Sequence, residues 1–141
     1  MSLSLRVINA DIQTAENNIS PAINPTNDEM LYNIAAYHAQ QAVEKCLKLI
    51  LIHYYGIGEN ERRMKTHNIA GLIGQLEDCA TADRPLPIDI PEIIYTMSAE
   101  ITIWEASSRY NDDIVILRDN IRHVLAACRD MSAALQRTGL Q

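Results

Sequence analysis

Apolar residues recur along this chain at intervals of three and four, the spacing that puts side chains on one face of an α-helix. Leu5, Ile8, Ile12, Ala15 and Ile19 open the series. They predict a first helix closed by Ser20, Pro21 and Pro25, because proline removes an amide donor and keeps the preceding residue out of helix. A long second helix is expected from a cap at Asn27 or Asp28 to about Tyr55, with Tyr32, Ala35, Ala39, Ala42, Cys46, Leu49 and His53 as its seam and Gly56 and Gly58 as its stop. Thr66 is the expected cap of a third helix, whose stripe is Ile69, Leu72, Ile73 and Leu76. Gly71 and Gly74 cost that helix about 1 kcal/mol each relative to alanine, making it the softest of the set. After a linker from Ala80 to Pro87, Asp89 and Glu92 have capping-box spacing. Ile90, Ile94, Met97, Ile101, Trp104 and Ser108 then carry a fourth helix. A fifth is expected from Asn111 or Asp112, with Ile114, Leu117, Ile121, Val124, Cys128, Met131 and Leu135 as its seam. Rods striped in this way and joined by short turns bury their stripes by lying antiparallel. The expected fold is all-α, an antiparallel, up-and-down bundle of four to five helices, in a single domain over residues 1–141.

Composition narrows the partners more than the fold. The chain has 141 residues, 48% of them apolar and 21% charged, enough to bury a core without staples. Phenylalanine is absent and tryptophan occurs once, so that core is aliphatic. A net charge of −6 argues against holding duplex nucleic acid by charge alone, leaving room only for a local basic patch. Cys46, Cys79 and Cys128 are odd in number and fit no metal-ligand spacing; two lie on apolar stripes and read as buried free thiols. No metal or cofactor is expected. The start lacks the basic-then-apolar pattern of a signal peptide, and the greasiest stretch, Leu47 to Ile52, is too short to span a bilayer. Together with free thiols this points to the cytoplasm.

Polar residues on the second helix add candidate chemistry. His38, Gln41, Lys45 and Lys48 recur at three, four and three and share one face beside the seam. Lys48 suits a solvated face, and Glu44 with Lys48 is routine helix support. His38 and Gln41 are less usual there. His67 follows Thr66 at the start of the third helix, where free amides favour an anion, and Arg62, Arg63 and Lys65 precede it. That makes it the best phosphate site in the sequence; the alternative is a charged loop in which His67 packs against a neighbouring helix. Arg109 and Tyr110 could contact a ligand, or anchor a turn with the arginine paired to a carboxylate and the ring covering the core. His53, at the end of its seam, reads as a half-buried side chain.

The run His38-Ala39-Gln40-Gln41-Ala42, followed by Glu44-Lys45 and Leu47-Lys48, closely resembles the signature of HEPN domains, small helical bundles found alone or beside nucleotidyltransferases. Lys65-Thr66-His67-Asn68-Ile69 is similar to that family's approach to its next helix, with Asn68 where aspartate is usual. Ser107-Ser108-Arg109-Tyr110 resembles the element before its last helix, with Asn111 in place of proline. The three matches come in the family's order over about residues 36–135, leaving the first helix outside and suggesting a HEPN-like core over about 28–137. The resemblance implies a bundle that commonly forms homodimers. It implies binding of a nucleotide or RNA phosphate, or pairing with a nucleotidyltransferase as in toxin–antitoxin systems. His38, Gln41, Lys45, His67, Arg109 and Tyr110 are the candidate binding residues. The family's nucleases use an arginine, a polar residue, three others and a histidine, near a helix end and paired across a dimer. Arg118-Asp119-Asn120-Ile121-Arg122-His123 fits that pattern. It implies a metal-independent ribonuclease toxin, in which His123 moves the proton and Arg118 steadies the phosphate charge. On a helix beginning near Asp112, however, Arg118 would sit more than a turn inside. A five-residue separation would then hold the two side chains roughly 140° apart, as expected of two solvated positions. A structural or interaction bundle without a small ligand is the third reading.

Overall fold

The computed structural model describes residues 3–19, 28–110 and 116–140, without the side chains of residues 28–31 and 107–110. Among these residues there are six α-helices and no strand: α1 (Leu5–Ile19), α2 (Asp28–His53), α3 (Ile69–Cys79), α4 (Glu92–Thr96), α5 (Ser98–Tyr110) and α6 (Arg118–Arg137). The apolar spacing is realised directly in α1, where Leu5, Ile8, Ile12, Ala15 and Ile19 are all buried, and in α3, where Ile69, Leu72, Ile73 and Leu76 are. In α6 the buried seam comprises Ile121, Val124, Cys128, Met131 and Leu135. Asn9 of α1 meets Ser132 of α6, and Glu16 meets Arg129, so the two helices run in opposite directions.

α2 lies at the centre, packed by α1, α3, α5 and α6. Its apolar positions are therefore buried on more than one face: Ala35, Ala39, Ala42 and Cys46 on the expected seam, and Ala36, Val43, Leu47, Ile50 and Leu51 beside it. Small residues in its first half permit close approach of neighbours. Gly56, at φ 73°, ends the helix: its amide donates to Ile52 O, and that of Ile57 reaches back to Leu51 O, the Schellman arrangement. His53 is exposed rather than half-buried, because the seam rotates into solvent on this last turn.

Several expected boundaries differ. The expected fourth helix is two, α4 and α5, broken at Met97 (φ −105°, ψ 12°). Asp89 and Glu92 form no capping box: Pro91 is the N-cap of α4, and no side chain caps that end. α6 begins at Arg118, with Leu117 as an extended N-cap lacking a side-chain bond. Leu117, expected in the seam, is 57% exposed. Asn27, Asn111, Asp112 and Ile114 lie outside the described residues.

α3 starts at Asn68, not Thr66, for a local reason. Asn68 Oδ1 accepts from the Gly71 amide, while Thr66 Oγ1 accepts from the amide of Asn68 itself. Nothing lies within 4 Å of a Cβ built on Gly74. Gly74→Ala is therefore expected to raise the unfolding free energy by about 0.5–1 kcal/mol, read as a higher urea midpoint.

Candidate functional site

The polar residues singled out on α2 are organised around two carboxylates. Asp11, on α1 and only 8% exposed, lies against α2 between His38 and Lys45. Lys45 Nζ donates to its Oδ2 at 2.5 Å, and His38 Nδ1 sits 2.9 Å from Oδ1. An ionised carboxylate only accepts, so the proton of this bond is on Nδ1. His38 and Lys45 are two helical turns apart on one face, and Asp11 fills the interval between them.

Glu44 is the second centre, 5% exposed. Its Oε1 accepts from Gln40 Nε2 at 3.0 Å and from His67 Nδ1 at 2.8 Å, and its Oε2 from Lys48 Nζ at 3.0 Å. Gln40 Nε2 also reaches His67 O at 3.2 Å, while Gln41 Nε2 donates to Gln40 Oε1 at 2.8 Å. His67 Nε2 stands 3.8 Å from Oε1 of Glu105 on α5. The polar side chains thus form bridges from α1 through α2 to the start of α3 and to α5.

Two features of this arrangement bear on the expected phosphate site. His38 and Lys45 are already matched by Asp11, and Gln41 by Gln40, so this face offers no uncommitted cation. The start of α3 is likewise supplied from within: beyond the Asn68 cap, the Ile69 amide donates to Thr102 Oγ1 at 2.9 Å. His67 precedes the cap and is turned toward Glu44, yet its side chain remains 59% exposed. Three shallow clefts of 370 to 440 Å³ are lined by other residues.

Just before His67 stands a basic turn. Arg62–Met64 form a 3-10 turn, with Met64 buried at 3% exposure as its anchor and Arg62, Arg63 and Lys65 outside. Gln75 Nε2 of α3 donates to Arg63 O at 3.0 Å, tying the turn to the bundle. Arg63 is offset by Glu61 at 3.3 Å, in a pair half open to solvent. Arg62 and Lys65 form no ion pair among the described residues.

Arg118 and His123 occupy a different end of the structure. Arg118 is the first residue of α6 and half-buried, and its Nε is buried without a hydrogen-bond partner among the described residues. His123 is exposed five residues on. Asn120 Nδ2 reaches Glu100 Oε1 on α5 at 3.3 Å. The pair stands at a helix start, which removes the objection that Arg118 lies inside the helix. The separation of roughly 140° remains, so within one chain the two side chains diverge. The side chains of Arg109 and Tyr110 lie outside the described residues.

Cys46 and Cys128 are buried free thiols; burial pushes Cys46 up to about 12. Cys128 is raised well above the usual thiol value by burial first, then by Cys46 and Asp11. Neither suits a nucleophile. Among the described residues no group of three potential ligands could hold a metal, and no helix is long and apolar enough to cross a membrane.

The sequence pointed to His38, Gln41, Lys45 and His67, which the fold places in two polar networks, His38 and Lys45 around Asp11 and Gln41 and His67 around Glu44 and Gln40. It missed Asp11, Gln40 and Glu105, and read Glu44 as a surface partner of Lys48. A family model described as HEPN domain matches residues 9–137. That match takes in most of α1, which the motif spacing had left outside. No curated protein and no solved structure matches the chain at a significant level.

Proposed function

The chain belongs to the HEPN domain family, a class of nucleotide- and RNA-related helical modules, and on that premise we propose that it binds the phosphates of a nucleotide or single-stranded RNA through the basic turn beside His67. The observation that carries this reading is that Arg62 and Lys65 are exposed and unmatched by any carboxylate among the described residues, on a turn fixed by Met64 and Gln75. In a chain of net charge −6, two such cations beside a histidine form a local patch where long-range repulsion would otherwise discourage an anion. His38 and Lys45 have a scaffolding role here, holding α1 to α2 through Asp11, while Gln41 braces Gln40 within α2. Homodimer formation and docking of a nucleotidyltransferase, which the family implies, extend this proposal.

Fluorescence anisotropy with a short labelled RNA at low salt tests the assignment. Arg62→Glu with Lys65→Glu is expected to weaken binding about tenfold or more. Loss of two phosphate contacts should also flatten the plot of log affinity against log salt by about 1.4, at roughly 0.7 per phosphate for a single strand. Unchanged affinity and slope would remove the turn from the interface.

A second reading, a metal-independent ribonuclease, is favoured by the placement of Arg118 at the first position of α6. There the arginine could steady phosphate charge while the histidine of a partner copy takes the proton, which would resolve the divergence within one chain. His123→Ala should then abolish RNA cleavage in EDTA while leaving affinity for the same RNA intact. Equal cleavage by both proteins would exclude His123 as the acid–base group.

A further inference from the structure

We propose that anion binding at the basic turn is linked to protonation of His67, so that the module takes up RNA or nucleotide phosphate more tightly as pH falls. This rests on the phosphate-binding reading of that turn. His67 alone belongs both to the segment carrying Arg62 and Lys65 and to the buried network. Its Nδ1–H is held by Glu44 at 2.8 Å, which fixes the tautomer and leaves Nε2 to receive the second proton. The ring is 59% exposed, so proton exchange with solvent is open.

The charged groups around the ring set the direction of the effect. From α2 come Glu44 and, behind it, Lys48 on the other carboxylate oxygen; from α5 comes Glu105, 3.8 Å from Nε2. On its own segment the nearest charged residue in sequence is Lys65, two positions before it, and Asn68, which caps α3, is neutral. With Nε2 unprotonated, an incoming phosphate meets a neutral ring. With Nε2 protonated, the exposed ring adds a positive charge to the segment that carries Arg62 and Lys65. A proton and an anion arriving at neighbouring positions favour each other, and linkage makes this reciprocal: the anion draws in the proton as strongly as the proton aids the anion.

The probe is a pentauridylate, whose phosphodiester charges stay constant between pH 5.5 and 7.5. Wild-type affinity is expected to fall by about fivefold or more across that range, the lower bound of ordinary site coupling. His67→Gln should bind with the same affinity at both ends. Calorimetry of the wild type in two buffers of different ionisation enthalpy gives an independent readout that needs no variant: net proton uptake on binding is expected at the middle of the range. Binding that is pH-independent with buffer-independent enthalpy, yet still abolished by Arg62→Glu with Lys65→Glu, would overturn the linkage while leaving the site in place. No binding at any pH would overturn both.

Discussion

Asp11→Ala is expected to lower the unfolding free energy by about 3 kcal/mol, on the order of 10 °C in Tm for a chain of this size. The carboxylate supplies the partner of Lys45, whose side chain is 13% exposed, and of His38 on the same face of α2. Removing it strands a largely buried ammonium group between α1 and α2. Loss of one member of a buried pair costs about 3–5 kcal/mol because the survivor keeps its desolvation penalty, and slight solvent access at Lys45 places this case at the lower end. Urea unfolding should show a lower midpoint with an unchanged slope. Pairing the change with Lys45→Met should recover much of the loss, since the aliphatic side chain needs no partner. A cost below about 1 kcal/mol for Asp11→Ala, or no recovery in the double variant, would show that the bridge does not hold α1 to α2.

That bridge marks where the sequence stops being legible. Periodicity found the buried residues of α1 and α3 because each presents a single stripe, and one helix's spacing is enough to see a stripe. It underestimated α2, which is covered on several sides. Gln40 and Glu44 fall between the stripes, as surface residues would, yet are buried because α3, α5 and the segment carrying His67 close over them. Glu44 and Lys48 do form the expected pair at 3.0 Å, but with the carboxylate 6% exposed rather than solvated. Asp11 gave one faint signal, a charged residue beside Ile12 on the margin of a clean apolar stripe. Its partners lie 27 and 34 positions away, beyond any local pattern. The α6 boundary failed for the opposite reason. Ile114 and Leu117 continue the three-four rhythm of the seam, so the pattern runs past the place where the helix starts, and Leu117 ends in solvent. A periodic pattern shows that residues could share a face, not that the backbone is helical beneath them. That error concealed the placement of Arg118 at a helix start.

Glu44→Ala should be nearly as costly, about 3 kcal/mol, and more informative about the proposed site. One buried carboxylate accepts from Gln40, Lys48 and His67, so its removal leaves three donors short and Lys48, 13% exposed, without its counter-charge. Glu44→Gln keeps the shape but has one acceptor oxygen; its amide nitrogen must face a donor, and about 2 kcal/mol should still be lost. The effect should also be local. His67 is the clasp between α2 and the segment leading into α3, and Gln40 reaches that segment only through His67 O. Hydrogen exchange of amides 62–68 should therefore accelerate in Glu44→Gln, below its unfolding transition, by more than global destabilisation requires, while α1 keeps its relative protection. Asp11→Asn, which weakens the other bridge, should leave residues 62–68 protected relative to the rest of the chain. If both variants accelerate exchange uniformly, the two carboxylates act as one structural unit. The basic turn is then held by Met64 and Gln75 alone, and phosphate binding there becomes independent of the network beneath it.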